Sequence, residues 1–324
     1  MAYLLDVAAG TYFPLAPHHT FGRLATSVDT AINKPYVSKL HAAIEWNGDQ
    51  WRIKNLGLNG TWINGSSLIQ GDTRDLAIGD EIRFAEQTDP GFRVINLAPP
   101  ADMLWPLTAS PQQVEPIYLS RYHLLPNNDQ PELAIYYHEP TLQWYQEALH
   151  QQSEHQAPEL NDGDLVQFGN THWQFVRAQI YGPTEAKKSH HINDYEFIFT
   201  MSLDEETTQL KLQHQQTLDL AVRTHHYLLL QLARHRADDA KRGLDNKSQG
   251  WVYADQLAAE LGVDSTHMNI QIFRARKQLA DSLPDAQDQQ CLLERRGGKI
   301  RFGCEKFKIY KGETLTLASP LSFC

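Results

Sequence analysis

The sequence predicts a multidomain chain, mainly β in its first part and α+β in its last. Three observations carry that expectation. Strand-like pieces separated by turn signals run through residues 1–97, and a partial echo of them occupies residues 106–178. After a polar linker at 179–195, residues 196–324 open with strands and pass into segments of helical period. A chain of 324 residues has room for two or three domains.

In residues 1–97, Tyr3 to Val7, Ala43 to Trp46, Trp51 to Ile53 and Glu81 to Phe84 are rich in β-branched and aromatic residues. Asn47-Gly48, Asn59-Gly60, Asn64-Gly65 and Ile78-Gly79-Asp80 tolerate positive φ at turns. Strands at about ten-residue spacing with such turns predict a β-sandwich. Its loops carry Phe21-Gly22-Arg23, Val37-Ser38-Lys39-Leu40-His41 and Asn59-Gly60-Thr61-Trp62-Ile63-Asn64-Gly65. A guanidinium fork, a hydroxyl and a mobile ammonium are the donors a phosphate dianion needs.

Those three stretches, in that order, resemble the core signature of forkhead-associated (FHA) domains, which bind phosphothreonine on partner proteins. The resemblance implies that Arg23 and Ser38 hold the phosphate, that Lys39 joins them, and that Asn59 hydrogen-bonds the ligand backbone. It gives His41 a structural role propping the loops, with Gly22, Gly60 and Thr61 shaping the site. Many family members carry Ser or Thr just before the Asn-Gly-Thr, where this chain has Leu58 after Gly57. The missing donor contributes roughly 1 kcal/mol, more if it meets a charge. With Lys39 to offset it, the expectation is weakened rather than abolished binding.

The middle segment echoes the first. Ala134-Ile135-Tyr136-Tyr137 before Trp144-Tyr145 parallels Ala43-Ile44-Glu45-Trp46 before Trp51-Arg52. Leu160 to Phe168 parallels Leu76 to Phe84. In this register Asp129 stands where Ser38 was and Glu132 where His41 was, and carboxylates repel phosphate. Residues 106–178 therefore read as a degenerate FHA-like β domain that serves as spacer, dimerisation surface or dock. Ala98-Pro99-Pro100-Ala101 reads as a short stiff linker, and Tyr181 to His191 as an exposed one.

In the last part, Phe197 to Met201 and Leu210 to Leu212 read as strands and Tyr227 to Ala233 as a core helix. A polar loop with Arg236, Lys241, Arg242 and Lys247 is expected next. Trp251 to Leu261 reads as a second helix ended by Gly262, and Asp264 or Ser265 as the cap of a third. On that third helix Met268, Ile272, Ala275 and Leu279 form a core stripe, flanked by His267, Gln271, Arg274 and Gln278. Leu292 to Phe302 reads as a basic hairpin turning at Gly297-Gly298.

This order resembles the winged helix-turn-helix DNA-binding domain of OmpR/PhoB-type response regulators. The third helix carries the likeness, ending in Arg274-Ala275-Arg276-Lys277-Gln278-Leu279. The resemblance implies double-stranded DNA as partner. His267, Gln271 and Arg274 would face base edges, Arg276 and Lys277 the backbone, and Arg295, Arg296, Lys299 and Arg301 would form the wing.

Net charge is −10, which is unusual for a DNA binder, but it is unevenly spread. Residues 1–206 hold 12 Lys and Arg against 26 Asp and Glu, whereas 207–324 hold 17 against 13. Only the last part suits a polyanion. No long apolar run exists to span a membrane, and the N-terminus has no basic region before an apolar one, so no secretory leader is expected. Cys291, Cys304 and Cys324 are odd in number and widely spaced, which fits a reducing, cytoplasmic setting and neither a disulfide framework nor a zinc site. No nucleotide loop, nucleophile elbow or metal-ligand cluster is evident, so neither catalysis nor a cofactor is expected.

The expected function is that of a bacterial transcription regulator that binds a threonine-phosphorylated kinase or kinase substrate, with a homodimer compatible with that reading. The rival is a phospho-dependent adaptor or scaffold whose winged helix makes protein contacts.

Overall fold

Trp51 to Asn55 alternates buried and half-buried side chains, the period-two pattern of a strand with one face on a core. Strands of this kind dominate the computed structural model of the chain, which describes residues 1–107, 113–149, 157–178, 190–284, 286 and 288–319. Of the linker read at Tyr181 to His191, residues 181–189 lie outside them, as does Cys324.

The first module contains β1 (Tyr3–Asp6), β2 (Thr11–Pro14), β3 (His18–Gly22), β4 (Thr30–Ala31), β5 (Ala42–Trp46), β6 (Trp51–Asn55), β7 (Thr61–Ile63), β8 (Ser66–Leu68), β9 (Thr73–Asp75), β10 (Glu81–Phe84) and β11 (Phe92–Asn96). They form two sheets, ordered β2-β1-β11-β10-β7-β8 and β4-β3-β5-β6-β9. Leu4, Phe21, Ile44, Ile53, Ile82 and Val94 are fully buried in one shared core. This is the expected β-sandwich.

The middle strands are β12 (Met103–Pro106), β13 (Ile117–Tyr118), β14 (Tyr122–Leu125), β15 (Leu133–His138), β16 (Gln143–Ala148), β17 (Glu159–Leu160), β18 (Leu165–Phe168) and β19 (Thr171–Val176). One sheet is ordered β13-β12-β19-β18, the order of β2-β1-β11-β10 in the first module. The other is β14-β15-β16-β17, the order of β3-β5-β6-β9.

Local bonds repeat as well. Gly79 N–H donates to Val94 O and Val94 N–H to Asp80 O; Gly163 N–H donates to Phe175 O and Phe175 N–H to Asp164 O. The Asp80 carboxylate accepts Ala77 N–H at 2.9 Å, and the Asp164 carboxylate accepts Asn161 N–H at 2.7 Å. Glu132 stands in the backbone position of His41. His41 N–H donates to Phe21 O and accepts from Leu56 N–H; Glu132 N–H donates to Leu125 O and accepts from Leu149 N–H.

The contacts group the middle strands differently from a single domain at 106–178. One compact unit takes in the described residues of Met1–Leu119 and Asn161–Thr184, the other those of Ser120–Leu160 and Glu185–Cys324. Packing explains the division. Met103 and Trp105, both ahead of the expected boundary, are buried with Met1 and Tyr3. Tyr122, Leu124, Ala134 and Leu149 are buried with Phe273 and Ala280 of the last module.

That last module contains β20 (Glu196–Met201), β21 (Thr208–Gln213), β22 (Thr217–Val222), α1 (Thr224–Lys241), β23 (Val252–Tyr253), α2 (Ala254–Leu261), α3 (Ser265–Ser282), β24 (Leu293–Arg296), β25 (Lys299–Phe302), β26 (Phe307–Lys311) and β27 (Thr314–Ser319). Its sheets are β22-β21-β20-β26-β27 and β23-β25-β24, with β20 and β26 parallel. Asp264 caps α3, its carboxylate accepting His267 N–H at 2.7 Å. Gly297 and Gly298, at φ 55° and 72°, make the two-residue turn of the β24–β25 hairpin.

Two expectations fail locally. Trp251 to Tyr253 is not helical, because Val252 and Tyr253 pair with Ile300 and Lys299 in a ladder. Arg236 and Lys241 belong to α1 rather than to a loop. Arg236 is only 2% exposed, its Nη1 donating to Phe302 O at 2.8 Å, a contact that fixes the hairpin to the helix. No helix among the described residues is long and apolar enough to cross a membrane.

Candidate functional site

Strand β3 ends at Gly22 and releases the loop that carries Arg23. Arg23 N–H donates to Ser38 O at 2.9 Å and Leu24 N–H to Lys39 O at 3.2 Å, so the Arg23 and Ser38 loops run side by side. Arg23 Nε donates to Val37 O at 3.2 Å, which orients the guanidinium and leaves its terminal amino groups as donors. The loop after β6 joins them. Leu58 N–H donates to Ser38 Oγ at 3.4 Å, and Asn59 Nδ2 to Tyr36 O at 2.8 Å. With its oxygen accepting from Leu58, the Ser38 hydroxyl keeps its own proton to donate. Arg23, Lys39 and Asn59 are exposed and Ser38 half-buried.

A buried histidine holds these loops at fixed spacing. His41 Nδ1 accepts Ser38 N–H at 3.1 Å, and its Nε2 donates to Gly60 O at 2.8 Å. The two bonds select the neutral Nε2–H tautomer. Burial lowers the pKa of His41, the Gly60 carbonyl opposing that in part. The backbone approaches closely on both sides. A Cβ on Gly22 would lie 2.2 Å from Lys39 O, and one on Gly57 2.6 Å from the His41 ring. Thr61 is buried, its hydroxyl donating to Asn55 Oδ1 at 3.0 Å.

All eight residues expected at this site therefore lie in one bonded loop cluster. Sequence reasoning missed Asn55, Gly57 and Tyr36. Asn55 is fully buried; it accepts Gly57 N–H at 3.0 Å and donates to Leu68 O at 2.9 Å, bracing the loop from below. An asparagine ending a strand of alternating apolar residues, two before a glycine, was the available signal. Leu58 is 81% exposed beside these donors and brings no hydroxyl.

Residues 19–85 match the family model of the FHA domain. This stretch is an FHA domain. Among solved structures the chain is similar to Mycobacterium tuberculosis EmbR in complex with a low-affinity phosphopeptide, at 31% identity over 30% of this chain and 25% of that one, TM-score 0.27. It thus spans about a quarter of that protein's length. It is also similar to the FHA domain of an Arabidopsis thaliana hypothetical protein, at 25% identity over 31% of this chain and 88% of that one, TM-score 0.28. The N-terminal FHA domain of S. cerevisiae Rad53p with a phosphothreonine peptide matches at 20% identity over 30% of this chain and 94% of that one, TM-score 0.27. No curated protein matches the chain.

Outside the FHA domain, the residues expected to meet DNA are mostly engaged within the molecule. Met268, Ile272, Ala275 and Leu279 face the core, as the helical stripe requires. Gln271 is 8% exposed. The Arg274 guanidinium donates to Asn128 O at 2.6 Å and Asp129 O at 3.3 Å. Arg276 donates to Leu293 O at 2.7 Å, and Lys277 to Asp281 at 3.0 Å and Tyr122 O at 3.4 Å.

The hairpin cations are also occupied. Arg295 donates to Asn269 at 2.7 Å and pairs with Glu147 at 3.6 Å. Lys299 lies 4.5 Å over the Tyr253 ring. Arg301 pairs with Glu294 at 2.8 Å and lies 4.7 Å over Trp251. His267 and Arg296 remain exposed. A second apolar stripe, Ile270, Phe273 and Ala280, packs with the β14–β15 face rather than the module's own core. Its helical spacing was visible in the sequence and passed over.

Proposed function

We propose that this chain is a phosphothreonine-responsive transcription regulator. Its FHA domain would bind a threonine-phosphorylated partner, a kinase or a kinase substrate. Its last module would act as a winged helix on duplex DNA. The observation that carries the first half is the convergence of Arg23, Ser38, Lys39 and Asn59 on loops bonded to one another and braced by His41. A guanidinium, a hydroxyl and an ammonium held together supply charge-assisted bonds to a phosphate dianion. The second half is supported by element order: a sheet, then α1, β23, α2 and α3, then the β24–β25 hairpin paired to β23.

Calorimetric titration of the full chain with phosphothreonine and unphosphorylated peptide libraries tests the first half. Binding should require the phosphate and should fall sharply in R23A. Equal heats for wild type and R23A sink the assignment.

One observation favours a second reading, that of a phospho-dependent adaptor. The outward stripe of α3 is covered, and its cations already hold internal partners. A gel shift on genomic fragments at rising salt separates the two, because DNA binding weakens steeply with salt.

A further inference from the structure

The loop joining β14 to β15 is the counterpart, by sheet order and by the Glu132 position, of the FHA loop that carries Ser38 and His41. In the FHA domain that corner offers Arg23 and Lys39. In the second copy it reads Pro126-Asn127-Asn128-Asp129-Gln130-Pro131-Glu132, with carboxylates and no cation. Its occupant is an arginine. Arg274 on α3 reaches Asn128 O through both Nε, at 3.2 Å, and Nη2, at 2.6 Å, and Asp129 O through Nη2.

The sheet beside this corner is shaped to the rest of the helix. Phe273 is 1% exposed among Tyr122, Leu124, Ala134 and Leu149, with its ring centroid 6.3 Å from that of Tyr136. Lys277 reaches Tyr122 O, and Glu147 on β16 pairs with Arg295 of the hairpin. An acidic, carbonyl-rich edge thus meets the cations, and an aromatic face meets the apolar stripe.

We propose that the second copy has exchanged phosphate for guanidinium: the β14-β15-β16-β17 sheet is a clamp that holds α3, and duplex DNA binds only by displacing it. This rests on the DNA reading of the last module. The clamp and the sugar–phosphate backbone compete for Arg274, Lys277 and Arg295, because both present acceptor oxygens and negative charge to the same donors. The worn copy is then retained for what it covers.

The test uses the full chain with a random-sequence duplex pool, and places changes on the clamp rather than the helix. A134E puts a carboxylate in the seam against Phe273 and Ala280, and E147R turns the partner of Arg295 into a like charge. Hydrogen exchange over residues 120–149 and 265–282 reports whether the seam has opened. Both variants should exchange faster there and bind duplex about tenfold more tightly, the factor for a clamp open about a tenth of the time in wild type. Faster exchange with affinity equal to wild type overturns the clamp and leaves the DNA reading standing. Faster exchange with no duplex binding in any form overturns both. Unchanged exchange in both variants makes the seam a fixed part of the core and overturns the clamp.

Discussion

Gly22→Ala isolates the geometry of the phosphate site from its chemistry, since it removes no donor. The new Cβ would lie 2.2 Å from Lys39 O, 2.8 Å from Lys39 C and 3.0 Å from the Leu40 Cα. Normal contact requires the Lys39 carbonyl to retreat by about 1 Å, and because the obstacle is backbone no side-chain rotation relieves it. The retreat breaks or stretches two bonds, Arg23 N–H to Ser38 O and Leu24 N–H to Lys39 O. Each contributes about 1 kcal/mol, and overpacking adds about 1–3 kcal/mol, so the FHA domain should lose roughly 3–5 kcal/mol. Ser38 and Lys39 move with the same segment. A charge-assisted bond is worth about 1.5–3 kcal/mol, so losing one alignment should weaken phosphopeptide binding by at least about tenfold. Urea unfolding and calorimetric titration of the full chain measure the two losses. If G22A unfolds at the wild-type midpoint and binds phosphopeptide as tightly, the close approach has no role in setting the site.

Further expectations follow from the same contacts. R23A should lower phosphopeptide affinity by roughly 2–3 kcal/mol while leaving the urea midpoint nearly unchanged, because Arg23 is exposed and its only side-chain bond among the described residues is to Val37 O; equal losses in both would make it a structural residue. L58S should raise affinity by about 1 kcal/mol, since the exposed leucine gives way to a hydroxyl donor beside Ser38; titration with the same peptide decides it. Stability should fall on acidification. Burial lowers His19 and His225 to about 4, and lowers His41 and His226. Their unfolded forms take up protons first, so the contribution is full above about pH 6.5 and lost as pH falls through about 4, on the order of 3 kcal/mol each for His19 and His225. Urea midpoints that stay flat from neutral pH to about 4 would show those histidines to be solvated.

The FHA site was legible because its parts are short, local motifs: a glycine that must admit a carbonyl, a histidine that must be neutral, a turn that needs Asn-Gly. The repeat was legible in Leu160 to Phe168 because Gly163 and Asp164 build the same turn as Gly79 and Asp80. Contacts between distant segments were not legible. Phe273 looks like any apolar residue in a helix, and nothing in its neighbours announces Tyr122 or Leu149. Arg274 reads as a free cation until Asn128 is brought to it by strand pairing far away in sequence. Arg236 looked like part of a polar loop because a buried guanidinium is tolerated only when specific carbonyls meet it, here that of Phe302.

The parallel ladder between Phe197 to Met201 and Phe307 to Lys311 sets an order of assembly. A polypeptide leaving the ribosome exposes β20 with one neighbour, β21, while the three helices and the hairpin are still being made. Phe197 and Phe199, which end fully buried, must wait for Phe307 and Ile309 to arrive. Closure of this module is therefore a late, long-range event, intrinsically slow, and a polypeptide truncated after Phe302 would carry an open strand edge prone to pairing with other chains.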